Sequence, residues 1–260
     1  MSNVVVIGLS GPSSSGKTTI ALNLIKLFPR TVVIHQDDFY KPDSQIPINA
    51  DANIQDWDCP EAFDMPKITQ AIRSTRKRLE INYASQWANP SEDVDRILPL
   101  GALESIRSSV LQRLGVGSVD DIPFSLILVD GILLFYDDAS DTAPGTECDA
   151  GVFIHAHYKT LKQRRESRSA YVTKDGIWED PPGYFDAIVW PNFEKYHSSI
   201  IGANPEIDSQ ESARARHSSA PASTRIGNIA ICSSDAPFQY TLEACVETIL
   251  SEWGRRHQQA

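Results

Sequence analysis

Hydrophobic positions along the chain fall in short unbroken runs that alternate with longer amphipathic stretches. Val4 to Leu9 is one such run, rich in β-branched residues, and suits a strand buried on both faces of a parallel sheet. A Gly/Ser-rich turn follows. Thr18 to Phe28 then reads as a helix, with Ile20, Leu24 and Leu27 at spacings of four and three, and Thr31 to His35 as a second strand. Strand, helix and strand within about 35 residues make a βαβ unit. Further strands are predicted at Phe124 to Val129, Ala150 to His155 and Asn228 to Cys232. Helices are predicted at Met65 to Arg78, Leu103 to Leu114, Tyr158 to Ala170 and Leu242 to Trp253. The alternation predicts an α/β fold, a sheet with helices on both faces. Two stretches break the rhythm. Residues 84–122 contain a polar NPSEDVD segment, and residues 202–225 are rich in Ser and Ala with few apolar anchors. Both are expected to be flexible insertions on a single domain spanning 1–260.

Composition narrows the function classes. The chain has 260 residues, 41% hydrophobic and 22% charged, which is ordinary globular usage. Its formal net charge of −10 argues against a partner that is bulk nucleic acid, because phosphate-tracking proteins are basic. No apolar run approaches the ~20 residues that span a bilayer, and the start lacks the basic region of a secretory leader. Cys59, Cys148, Cys232 and Cys245 show no CxxC spacing, so reduced thiols in a cytoplasmic protein are expected.

The strongest chemical signal is Gly11-Pro12-Ser13-Ser14-Ser15-Gly16-Lys17-Thr18, a complete G-x-x-x-x-G-K-[ST] phosphate loop between a predicted strand and a predicted helix. Its glycines let the backbone N–H groups wrap phosphate oxygens, and the helix adds its positive dipole end. Lys17 supplies charge to the outer phosphates and the Thr18 hydroxyl can ligate Mg²⁺. A second acid is needed near that ion. Asp130, ending the apolar run Leu126 to Val129, stands where a strand delivers a ligand in open α/β sheets; a helix-cap or turn role is the competing reading.

Three other clusters address the phosphate acceptor. Asp37, in the segment HQDDFYKP after the second strand, is placed to take the proton of an attacking hydroxyl or to bind magnesium through water; otherwise Asp37 and Asp38 form a solvated turn. Trp57 beside Asp58 suits a nucleoside, the indole stacking on the base and the carboxylate accepting both hydrogens of a ribose diol, although a lone Trp is more often core. Arg164, Arg165 and Arg168 lie on one predicted helix, where they can close on a triphosphate or merely form a solvated face.

Together GLSGPSSSGKTT, HQDDFYKP, the WDCPEAFD block, LVDGILLF, and Pro182-Gly183-Tyr184-Phe185-Asp186 with Val189-Trp190-Pro191 resemble the nicotinamide riboside kinases, in the uridine kinase-like branch of P-loop kinases. The resemblance runs from residue 4 to about 200 and more weakly beyond. It implies a P-loop NTPase fold with a five-stranded parallel sheet, a small helical lid over about 158–190, and transfer of the ATP γ-phosphate to a ribose 5′-hydroxyl. It implies Asp37 as proton acceptor, with Thr18 and Asp37 holding magnesium. Gly11 through Thr19 bind ATP, together with Arg164 and Arg168. Asp37, Asp38, Phe39, Tyr40, Trp57, Asp58 and Arg165 meet the nucleoside, and Tyr171 serves as a second stacking ring. Trp57 stands where the family usually has Tyr. Asp130 replaces a Glu, so its carboxylate is about one methylene shorter and acts through a water. The adenine contact falls near Ser233 to Asp235. A cationic pyridinium ring suits Trp57, since indole faces attract cations by about 0.5–2 kcal/mol.

The reading is therefore a kinase making nicotinamide mononucleotide from a small-molecule nucleoside, with ATP and Mg²⁺, as a monomer or weak homodimer. The rivals are a uridine/cytidine kinase of the same fold and a nucleotide-binding regulatory module without transferase activity.

Overall fold

The computed structural model describes residues 2–81, 101–136, 143–167, 171–172, 177–201, 216–219 and 228–257. In chain order the elements are β1 (Val4–Ser10), α1 (Lys17–Leu27), β2 (Thr31–His35), β3 (Ile48–Asn49), β4 (Ile54–Gln55), α2 (Met65–Ile81), α3 (Ala102–Leu114), β5 (Ser125–Asp130) and β6 (Ala150–His155). There follow α4 (Tyr158–Glu166), β7 (Tyr171–Val172), β8 (Ile177–Trp178), a π-helical turn Phe185–Val189, α5 (Trp190–Tyr196), α6 (Ser198–Ile201), β9 (Arg216–Ser219), β10 (Asn228–Ser233) and α7 (Phe238–His257).

The main sheet runs β2-β5-β1-β6-β10-β9. Its first five strands are parallel, as predicted, and β9 pairs antiparallel with β10 at one edge. Successive side chains of a strand face opposite sides, and the core divides accordingly. Val4, Val6, Ile127, Val129, Phe153, Ile229 and Ile231 face α2 and the segments after β8, whereas Val5, Ile7, Leu9, Leu126, Leu128, Val152, Ile154, Ala230 and Cys232 face α1, α3 and α7. Burial on both faces is why these strands read as continuous apolar runs.

Three expectations are corrected. Residues 101–122 are not a flexible insertion: α3 and the turn after it pack Ile106, Val110 and Ile122 into the second face. Within 202–225, Arg216–Ser219 form the edge strand β9, so this stretch is not wholly a surface loop. Finally, α4 stops at Glu166 rather than Ala170, with Ser167 closing it by donating its hydroxyl to the Arg164 carbonyl at 2.8 Å. Arg168, the Tyr171 side chain and residues 82–100 lie outside the described residues.

The register aligns the strand ends that carry chemistry. Leu9 and His35 both pair with Asp130, so the exits of β1, β2 and β5 meet at one edge of the sheet. The chain leaving β6 into α4 and the chain leaving β10 into α7 reach the same edge, since Ser233 pairs with His155.

Candidate active site

Between β1 and α1 the chain bends through Gly11 at φ 138°, Ser14 at φ 66° and Gly16 at φ 93°. A Cβ at Gly11 would lie 1.9 Å from the Ile154 carbonyl oxygen, so only glycine fits. At Gly16 space is open and the left-handed backbone alone favours glycine. No side chain caps α1, which leaves its first N–H groups available to an anion. The Ser14 and Ser15 hydroxyls are buried without a partner among the described residues. Lys17 is buried and donates to the Gly11 and Pro12 carbonyls, each at 2.9 Å, so its ammonium lies inside the loop.

A cavity of about 80 Å³ opens beside the loop, lined by Ser13, Lys17, Thr18, His35, Asp37 and Asp130 among others. Thr18 Oγ1 donates to Asp130 Oδ2 at 2.7 Å, and His35 Nδ1 lies 3.3 Å from the same oxygen. Burial works against the Asp130 charge, yet the His35 hydrogen bond, Lys17 and the Thr18 hydroxyl together hold its carboxyl below the usual range. The Asp130 carboxylate thus meets the threonine directly. Asp37 stands on the open side of the cavity. Desolvation, then the Asp130 charge, raise its carboxyl above the ordinary range against the pull of Lys17 and His35. Gln36 fixes this arrangement: its buried Oε1 accepts the Leu133 N–H at 2.9 Å and ties the exits of β2 and β5 together. The sequence reading missed it.

Thr18, Asp37 and Asp130 bring hard oxygen donors to one small cavity, which fits Mg²⁺; that ion keeps several waters and needs few protein ligands. No group of three or more His, Cys, Asp or Glu forms a metal cage among the described residues.

On the other side of the loop lies a cleft of about 530 Å³, lined by Ser14, Ser15, Gly16, Thr19, Ile20, Arg164, Ser234, Ala236, Phe238 and Thr241. Arg164 reaches across it, donating to Ser234 Oγ at 2.8 Å and the Ser234 carbonyl at 3.0 Å. Of the stretch Ser233 to Asp235, only Ser234 faces this cleft; Ser233 is buried in β10, and Asp235 accepts the His157 N–H at 2.7 Å.

Arg165 turns the opposite way. It is buried, donates bidentately to Asp180 at 2.6 and 3.1 Å, and lies 3.6 Å from Asp58 and 5.6 Å from the Tyr184 ring centre. Asp58 Oδ2 has no partner among the described residues. Desolvation dominates at Asp58, and despite Arg165 its carboxyl is pushed up to about 6. Trp57 is only 4% exposed, its indole set between Tyr40 at 5.3 Å and Trp178 at 5.4 Å, with Nε1 unpartnered among the described residues. The expected stacking face is thus covered by aromatic neighbours here. Tyr40 stacks on Phe63, Phe39 packs at the core margin, and Asp38 is exposed. Asp180, Trp178, Tyr184 and Asn192 complete this half. Tyr184 lies in the quoted Pro182–Asp186 motif, though without a role assigned there, whereas Trp178, Asp180 and Asn192 lie only beside the quoted segments.

Known proteins supply the remaining comparison. No family model matches the chain. The nicotinamide riboside kinase of Saccharomyces cerevisiae is 34% identical over 201 residues, covering 76% of this chain and 79% of that protein. Nicotinamide riboside kinase 1 of Homo sapiens is 34% identical over 204 residues, 78% of this chain and 81% of that one. The Schizosaccharomyces pombe nicotinamide riboside kinase is 28% identical over 197 residues, at 76% and 80% coverage.

Proposed function

The chain belongs to the nicotinamide riboside kinase family, and on that premise we propose that it transfers the γ-phosphate of ATP to the 5′-hydroxyl of nicotinamide riboside, giving nicotinamide mononucleotide. The observation that carries the assignment is the junction at the sheet edge, where the phosphate loop, Asp130 and Asp37 share one cavity. The donor's phosphates lie in the loop and its base in the larger cleft beside Ser234 and Phe238. Arg164 sits between them.

Asp37 takes the proton of the 5′-hydroxyl as the new O–P bond forms and the bond to the β-phosphate breaks, releasing ADP. Lys17 and Arg164 spread the charge of the migrating group. Thr18 and Asp130, with Asp37, would hold Mg²⁺, which when bound neutralises charge between the outer phosphates.

Asp58 accepts from the ribose diol beside Arg165, and Trp178, packed on the buried Trp57, provides the aromatic wall. Asp58 and Asp180 flank one guanidinium and Asp56 lies close enough to act on Asp58, an excess of negative charge that suits a positively charged pyridinium ring. Among the described residues no helix is long and apolar enough to cross a membrane. All four cysteines are buried free thiols whose pKa burial pushes up, and unpaired thiols fit a reducing compartment such as the cytoplasm. A panel of nucleosides assayed with Mg·ATP tests the assignment. Nicotinamide riboside is expected to turn over fastest, and faster turnover of uridine at matched concentration would overturn it.

A further inference from the structure

Asp58 and Trp57 do not hold their own positions. The Trp57 N–H donates to the Tyr184 hydroxyl at 3.0 Å, and the Asp58 N–H donates to Asp56 Oδ1 at 3.0 Å. Asp56 is itself buried, and Asn192 Nδ2 donates to both of its oxygens, at 2.8 and 2.9 Å. Asn192 lies in the first turn of α5 and lines, with Asp58, Pro12, Ser13 and His197, a cavity of about 10 Å³ between the phosphate loop and the Asp58 carboxylate.

Stability alone does not account for this chain of contacts. Two carboxylates two positions apart, Asp56 and Asp58, are both buried, and the guanidinium beside Asp58 is already engaged by Asp180. Removing charges from water this way costs more than an apolar pair would. Asn192 supplies hydrogen-bond donors without adding positive charge, so Asp56 is satisfied while the pocket stays acidic. Meanwhile Asp58 Oδ2 is left buried with no partner among the described residues, as expected of an acceptor awaiting a ligand's hydroxyl.

We propose that Asn192 is a positioning residue for nucleoside recognition: it holds the Asp56 carboxylate, which fixes the Asp58 backbone and so aims the Asp58 side chain at the substrate diol. This rests on the kinase reading above. The relay runs from α5, beyond the arginine-bearing helix, to the turn that follows β4, and it explains why this position is Asn rather than an apolar residue that would pack equally well beside Phe193.

The test is steady-state kinetics on three forms of the full chain, with nicotinamide riboside and ATP varied separately. Asn192→Leu removes the donors at similar volume. It is expected to raise the nucleoside KM about tenfold, with kcat within about threefold and the ATP KM unchanged. The exchange Asp56→Asn with Asn192→Asp rebuilds the pair with donor and acceptor swapped, and is expected to return the nucleoside KM to within about threefold of the parent. An unchanged nucleoside KM in Asn192→Leu overturns the proposal. So does a parallel rise in both KM values, which marks a packing role, or a failure of the exchange to restore binding. If Asn192→Leu does not fold, the exchange variant decides alone. Absence of turnover in the parent chain would instead sink the kinase reading, independently of these ratios.

Discussion

The two halves of the site are built in opposite ways. The donor half is open, with a cleft of about 530 Å³ beside a loop made from one contiguous run of sequence, Gly11 to Thr19. The acceptor half is tightly packed among the described residues, with a cavity of about 10 Å³ at Asp58, and it joins residues from the β4 turn, α4, the β8 region and α5. In the first, backbone N–H groups and the uncapped start of α1 face the cavity an anion would fill. In the second, side chains occupy one another: Trp178 covers Trp57, and Asp180 engages Arg165. On the proposed reading, nucleoside binding displaces protein–protein contacts, whereas the donor's base enters a cleft that is already there.

Substitutions sharpen this contrast, and the greatest effect belongs to the junction. Asp37→Asn keeps the fold but removes the proton acceptor, so kcat is expected to fall about 10²–10⁴-fold in steady-state assays, with both substrates still binding. Trp57→Ala strikes the acceptor half alone. It should raise the nucleoside KM at least tenfold, leave the ATP KM within about twofold, and cost about 3–5 kcal/mol in a denaturant melt because the ring is buried. Equal effects on both KM values would erase the distinction between the halves.

Acidity probes the same half more gently. With its carboxyl at about 6, Asp58 gains a proton as the pH falls below that value and loses its capacity to accept both diol hydrogens. Nucleoside affinity, measured by calorimetry, should weaken up to tenfold per pH unit below 6, and Asp58→Asn should abolish that slope. Folding stability carries the opposite sign. A carboxyl raised in the folded state is disfavoured when ionised, so this group's contribution improves as the pH drops from about 6 towards 4. Least disruptive is Ser234→Ala in the donor half, which removes one partner of Arg164. A rise of about two- to fivefold in the ATP KM, with the nucleoside KM unchanged, is expected for one partly exposed hydrogen bond.

The same contrast governs how much was legible in the sequence. Buried parallel strands announce themselves as apolar runs, and β2 and β6 were read to the residue, with β1, β5 and β10 within one position. The phosphate loop is contiguous, so Gly11, Lys17 and Thr18 could be named together. Residues joined only by the fold were not legible. Gln36, Asp180 and Asn192 act through partners between 15 and 136 positions away, and no local pattern records such pairings. The α4 boundary failed because polar residues continue past Glu166 without an apolar repeat to mark the stop. Reading 202–225 as loop failed at Arg216–Ser219, where backbone pairing with β10 outweighs the weak β-propensity of a polar stretch.

That last strand has a consequence for how the molecule behaves among its own copies. An uncovered strand offers a row of unused amide and carbonyl groups on which a stranger can template. By laying four of its residues antiparallel along β10, the chain spends that row internally. On this side the sheet therefore ends on a four-residue antiparallel strand instead of on β10, and so short an edge templates another chain poorly.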